Sequence, residues 1–212
     1  MHVVHGNTNR LQNSIRLVKG LQLEVEEIVF NGLASSLALL TSERQALAAS
    51  VCMVELDIAC GNTAAALQLG RPLASSLRHL GRRETCFELL VLMFSALLIT
   101  REMDEARSIG AELLALALRI DTSRLYTALD AMTLLACEER RYDAAARIAV
   151  YADLTHEVHG LVRRRPAEER MRTAALKVLD ENLGSQWRTT LDDSRGLADE
   201  EAACSLALGF SA

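Results

Sequence analysis

The sequence predicts an all-α protein, built as an α-solenoid of antiparallel helix pairs with capping helices at both ends. The first observation is composition, because half of the 212 residues are hydrophobic while only 4% are aromatic and two are proline. Leu and Ala lose little conformational freedom in helices, whereas strands favour β-branched and aromatic residues. The second observation is a repeated unit of an apolar helix, a short polar break and an Ala-rich helix.

Three segments carry this unit and align on one alanine each: ACGNTAAALQLG from residue 59, ITREMDEARSIG from residue 99 and EERRYDAAARIA from residue 138. Ala106 follows Ala66 by 40 residues and Ala145 follows Ala106 by 39. Periods of this size are typical of stacked helical hairpins. Small side chains let paired helices approach closely, and we expect Gly70 and Gly110, one turn later, to serve the same contact.

We predict a single domain in which residues 1–41 form capping helices, 42–160 form three helix pairs and 161–212 form further capping helices. Capping-box patterns at Ser42–Gln45 and Thr85–Glu88 indicate where two of the first helices begin. The apolar residues from Leu11 to Ile28 recur every three or four positions, which predicts a long amphipathic helix.

Two further helices are predicted near the end of the chain. Pro166 suits the first turn of one helix, and Gly184 suits its end. The segment from Ala198 to Gly209 has acidic residues near its start and a terminal glycine, which predicts the last helix.

The three repeats resemble tetratricopeptide repeats in the small residue of each second helix, at Ala66, Ala106 and Ala145. The small residue that this family places in the first helix is replaced by Val54, Phe94 and Thr133, and the closing proline is absent. The resemblance implies a tetratricopeptide-like superhelix.

A second resemblance covers roughly residues 42–209. That part of the chain is similar to the C-terminal helical region of bacterial signal-transducing ATPase regulators, including LuxR-type transcriptional regulators. The residues that carry it are Pro166, Ala167, Glu168, Leu183, Gly184, Trp187, Gly196, Leu197, Glu200, Glu201 and Ala202. The resemblance implies a sensing or partner-binding arm in transcription control. The chain has no GxxxxGK[ST] phosphate loop, so it does not imply ATP hydrolysis here.

In stacked hairpins the first helix of each pair lines the concave face, which predicts a partner-binding groove. Its acids and aliphatic residues suit a peptide or helix with basic and apolar anchors. The alternative is that the aliphatic residues belong to the core while the acids only keep the face hydrated. The predicted groove residues are Val51, Glu55, Ile58, Glu88, Val91, Ser95, Leu98, Thr127, Asp130 and Leu134.

Composition also argues against several classes of function. A net charge of -5 argues against a direct nucleic-acid interface. The most apolar window, LLVLMFSALLIT from residue 89, is shorter than the roughly 20 residues that cross a bilayer. Five cysteines without a CxxC pair predict reduced thiols and a cytoplasmic location. We expect no cofactor and no metal.

Two short segments contain residues that could form a metal site or an anion-binding site. His156 and His159 are three residues apart and could share a metal, but a polar helix end is favoured because HExxH spacing is absent. RRRPAEER, from residue 163, could bind phosphate or an acidic partner, but its neighbouring acids favour a solvated loop.

These observations predict a non-enzymatic domain of a bacterial regulatory system that binds a protein or peptide, or a small effector. The first alternative is a self-associating module, a homodimer formed through the long N-terminal helix. A metal-dependent enzyme acting through His156 and His159 ranks last, because their spacing does not fit a metalloprotease motif. Nucleophilic catalysis has no support either, since no catalytic nucleophile signature is present.

Overall fold

The computed structural model describes residues 43–160, 164–184, 187–188 and 200–209. Every regular element in these ranges is helical, which confirms the predicted all-α class. The predicted N-terminal capping helices and the capping box at Ser42 lie outside the described residues. The described elements are α1 (Glu43–Ala59), α2 (Thr63–His79), α3 (Arg83–Thr100), α4 (Met103–Ile120), a 3-10 turn (Thr122–Arg124), α5 (Leu125–Glu138), α6 (Tyr142–Val158), α7 (Pro166–Leu183) and α8 (Glu200–Ala207).

Helices contact their neighbours along the chain, and successive odd-numbered helices from α1 to α7 also contact one another. From α1 to α7, each helix contacts the next one, and α8 contacts α5 and α6. In addition α1 contacts α3, α3 contacts α5, and α5 contacts α7, so these four helices lie side by side. Helix α7 contacts α3 as well as α5, so the last of these four helices packs against two of the others. Within the described ranges, no helix is long and apolar enough to cross a membrane.

Four of the connections between these helices use the same tight turn. In each connection, one of the first two residues that follow the helix has a positive φ; these residues are Gly61, Gly81, Arg101 and Arg140. The next amide donates to a carbonyl five residues earlier, a Schellman closure, in the pairs Asn62–Asp57, Arg82–Leu77, Glu102–Leu97 and Arg141–Ala136. Such short turns make consecutive helices antiparallel.

The connection from α4 to α5 breaks this regularity. Asp121 is extended, with a φ of -168°, and its carboxylate accepts hydrogen bonds from the Ser123 backbone N–H and hydroxyl. The 3-10 turn that follows carries Arg124 to within 5.7 Å of the Phe87 ring centroid on α3. The irregular turn therefore contributes a cation to the face formed by α1, α3, α5 and α7.

The small residues of the second helices are buried, and the two glycines lie close to side chains of other helices. Ala66, Ala106 and Ala145 are completely buried. A Cβ atom at Gly70 would lie 2.9 Å from Met93 Cγ, and one at Gly110 would overlap the sulfur of Met132. These methionines belong to α3 and α5, which follow the glycine-bearing helices. The Cβ position of Gly110 also lies 3.3 Å from Phe94 on α3, so Gly110 serves the contact within its pair as predicted. For Gly70 the prediction was wrong, because its nearest neighbour, Met93, belongs to the following helix.

The ends of α7 and the start of α8 agree with the sequence prediction, whereas the start of α3 does not. The capping box at Thr85–Glu88 was wrong: α3 begins at Arg83, because the Schellman turn closes at Arg82 and leaves no room for a later start. Pro166 is the first residue of α7, and Gly184 ends it with a φ of 78°, as predicted. Glu200 and Glu201 occupy the first turn of α8, also as predicted.

Candidate functional site

Two adjacent hollows lie on the face formed by α1, α3, α5 and α7. Hollow 1 has a volume of about 520 Å³ and is bounded by α1, α3, the 3-10 turn, α5 and the start of α7. Hollow 2 has a volume of about 610 Å³ and is bounded by later parts of the same four helices. Ala167 lines both hollows, so we refer to the two together as the groove.

Nine of the ten predicted groove residues line these hollows. Val51, Glu55, Glu88, Val91 and Thr127 line hollow 1. The other four, Ile58, Ser95, Leu98 and Leu134, line hollow 2. The repeat register therefore brought residues from three separate helices to one face, although lining a hollow does not by itself show that a partner binds there.

Asp130, the tenth predicted groove residue, is a correction. Its side chain is completely buried and faces Arg164, whose Nε lies 2.7 Å from Asp130 Oδ2. Three residues of α-helix turn the chain by about 300°, so Asp130 lies roughly 60° to one side of Thr127. That side of α5 is covered by α7, which hides Asp130 from the groove.

Asp130 belongs to a buried charge cluster formed with Asp153, Arg164 and Arg172. Arg164 also lies 2.9 Å from Asp153, and Arg172 pairs with Asp153 and, at 3.5 Å, with Asp130. Burial raises the pKa of Asp130 to about 6, against the lowering effect of Arg172 and Arg164. The cluster joins α5, α6 and α7; Asp130 and Arg172 are shielded from water, whereas the side chain of Asp153 is 44% exposed at its edge.

The interpretation of RRRPAEER as a solvated loop was therefore wrong for Arg164. Its side chain is only 12% exposed, and its guanidinium lies 5.5 Å from the centre of the Tyr126 ring. The acids that neutralise Arg164 are Asp130 on α5 and Asp153 on α6, which are distant in the sequence, so the residues adjacent to Arg164 do not indicate its surroundings. Arg163 lies outside the described residues.

Glu168 is a buried carboxylate at the edge of hollow 1 that the sequence reasoning missed. It accepts hydrogen bonds from the Tyr126 hydroxyl at 3.2 Å, the Thr127 hydroxyl at 3.2 Å and the Arg165 backbone N–H at 2.9 Å. The last bond is half of a capping box, in which the third helical residue bonds back to the cap. The sequence signal for this role is an acid three residues after Arg165 and two residues after Pro166, which is the capping-box position of a helix that begins at Pro166.

Charge differs between the two hollows. Four carboxylates line hollow 1, at Glu55, Glu88, Asp121 and Glu168, together with the guanidiniums of Arg124 and Arg165. Both guanidiniums approach Glu88, at 3.8 Å and 3.1 Å. Glu55 is exposed and makes no ion pair with any described residue.

Hollow 2 is mainly apolar. Its lining includes Ile58, Leu98, Ile99, Leu134 and Met171. Arg101 and Glu138, at its edge, form an ion pair with each other. Arg170 is exposed and pairs with no described acid, so it is the cation that hollow 2 offers to a partner.

His156 and His159 occupy different surroundings. The ring of His156 meets the Tyr126 ring edge-on, with centroids 4.9 Å apart, and burial lowers the pKa of His156. His159 is exposed at the end of α6. Among the described residues, no three or more His, Cys, Asp or Glu side chains are grouped to hold a metal ion.

Comparisons of the chain with protein-family models, with curated proteins and with solved structures find no match. The two resemblances therefore stay predictions, and the case for a binding site depends on the geometry of the groove.

Proposed function

We propose that this chain is a non-enzymatic, tetratricopeptide-like helical-repeat domain that binds a protein or peptide in the groove. The observation that carries the proposal is the groove itself, an open depression bounded by residues from four helices. Open hollows that combine apolar walls with a few charged groups are typical of binding sites. The hydroxyls of Ser123 and Thr127 in hollow 1 are hydrogen-bonded to the carboxylates of Asp121 and Glu168, so these polar groups are held in fixed positions along its wall.

The helix contacts support the repeat-like part of this proposal. Among the odd-numbered helices, α1 contacts α3, α3 contacts α5 and α5 contacts α7, and the same Schellman turn recurs at positions 61, 81, 101 and 140. In a stack of this kind each hairpin depends on its neighbours for burial, and the inner helices present a continuous concave face. If the domain serves a regulator, a partner acts by binding one state of that regulator more tightly than another.

The proposal is tested by affinity capture from a lysate of the source organism with two matched variants. Ile99 in hollow 2 is 64% exposed, and Val158 at the end of α6, away from the groove, is 81% exposed. Lysine at either position should therefore leave the fold intact. We expect a partner retained by the wild type and Val158→Lys but lost from Ile99→Lys. Equal capture by both variants would contradict binding in the groove.

A further inference from the structure

We infer that the occupant of the groove is an amphipathic α-helix that places a basic residue in hollow 1 and an aliphatic residue, seven positions later, in hollow 2. This inference rests on the proposed binding function and specifies the chemistry and conformation of the partner. It depends on three observations: the spacing of the hollows, their different charges and the exposure of their walls.

Corresponding lining residues of the two hollows are seven positions apart on two helices. On α3, Glu88 lines hollow 1 and Ser95 lines hollow 2; on α5, Thr127 and Leu134 do the same. Seven residues of α-helix span about 10.5 Å. Equivalent points on the α3 and α5 walls of the two hollows are therefore about two helical turns apart along the groove.

This separation favours a helical partner over an extended one. In a helix that lies along α3, residues i and i+7 fall on the same face and about 10.5 Å apart, so both can point into the groove. In an extended strand three residues span nearly the same distance, at roughly 10 Å, but residues i and i+3 point to opposite sides. A strand would fill one hollow and turn its other anchor to solvent.

Hollow 1 selects a basic anchor. Its four carboxylates outnumber its two guanidiniums, and both guanidiniums are already engaged with Glu88. Glu55 on α1 is exposed and has no ion-pair partner among the described residues, so it can receive a Lys or Arg from outside. A basic side chain there would meet attraction and little repulsion.

Hollow 2 selects an aliphatic anchor and sets the direction of the partner helix. Ile99 is 64% exposed beside the buried side chains of Leu98 and Met171, so a partner would cover apolar surface that now faces water. Arg170 adds an unpaired cation at this end. Because the N-terminus of a helix is positive and its C-terminus negative, the N-terminal end of the partner belongs at the acidic hollow 1.

The test is selection of helical peptides against the full chain. A display library presents peptides of about 18 residues, long enough to cross both hollows, with one helical face randomised. A parallel library carries prolines that prevent helix formation. We expect enrichment of helical peptides with Lys or Arg followed seven residues later by Leu, Ile or Met. Glu55→Lys and Ile99→Lys should each weaken binding of these peptides about tenfold.

Matched controls and failed outcomes separate the two proposals. Glu157→Lys and Val158→Lys change an exposed acid and an exposed aliphatic residue outside the groove, and affinity should stay within about twofold. Two outcomes would overturn this inference: selected peptides whose binding depends on Ile99 but that lack the seven-residue spacing, or binding peptides that come only from the proline library. Either outcome would still support the groove as a binding site. Absence of any peptide whose binding depends on Glu55 or Ile99 would contradict both proposals.

Discussion

Arg101 and Arg140 occupy turn positions that glycine occupies in the preceding hairpins. Their φ angles are 63° and 60°, against 82° at Gly61 and 65° at Gly81. The left-handed region costs a residue with a Cβ about 1–2 kcal/mol. Such strain persists only where the surrounding structure imposes it, and here the contacts between the flanking helices do so. The turns are therefore maintained by packing as well as by local sequence.

Arg140→Gly should raise the free energy of unfolding by about 0.5–1 kcal/mol. Glycine removes the left-handed cost, and its greater freedom in the unfolded chain offsets part of the gain. Arg140 is exposed and makes no ion pair with a described residue, so little else is lost. Urea unfolding followed by circular dichroism measures the change. Gly81→Ala is the reverse control and should lower stability; an unchanged or reduced stability of Arg140→Gly would contradict the argument.

At the scale of the element, α7 is held in place by charge as much as by apolar contact. Arg164, just before α7, and Arg172, inside it, both reach Asp130 on α5 and Asp153 on α6. Removing one member of a buried ion pair strands the other charge and costs more than the pair contributes. Because residues of α7 line both hollows, the buried charge cluster also determines the shape of the groove.

The buried charge cluster predicts a pH dependence of stability. The pKa of Asp130 is about 6 in the folded chain and 3.8 in the absence of structure. The folded state therefore holds this proton more tightly, so the stabilising contribution is complete below about pH 4 and lost as the pH rises through 6.

We expect Asp130→Asn to remove this component, since asparagine does not titrate. Between pH of about 4.5 and 7.5, the free energy of unfolding of the wild type should fall by on the order of 2 kcal/mol more than that of the variant. Asp153, Arg164 and Arg172 face Asp130 and are present in both proteins, so the two proteins differ only in the side chain at position 130. Chemical unfolding at several pH values provides the measurement, and parallel profiles would show that Asp130 does not titrate in this range.

At the scale of the whole molecule, α3 is the central element. It contacts α1, α2, α4, α5 and α7, and eleven of its residues are buried. Because α3 buries apolar surface against each of these helices, loss of α3 exposes the surfaces of five helices at once.

Leu98→Pro should therefore unfold the described domain as a whole. Proline removes a backbone hydrogen bond and clashes with the preceding turn, at a cost of about 3 kcal/mol or more, and Leu98 is itself buried. Circular dichroism should show loss of most helical signal. Val158→Pro, at the exposed last residue of α6, should cost only local fraying. A Leu98→Pro variant that keeps a cooperative transition and near-normal helicity would contradict this central role.

The sequence alone determined those features that depend on neighbouring residues. Leu- and Ala-rich periodicity, together with Pro166 and Gly184 at the ends of α7, identified helices and breaks. The predicted repeat also placed nine residues at the groove, because α1, α3 and α5 lie side by side and present these residues to the same face.

Tertiary structure alone decided which helix covers each remaining face. Arg164 and Asp130 are 34 residues apart, and nothing near either one signals the other. The same holds for the contact of Gly110 with Met132 and for the approach of α7 to α3. The periodicity of a helix can be recognised in the sequence alone. Which side chains meet across two helices depends on how those helices cross, and the crossing is determined by packing in the whole molecule.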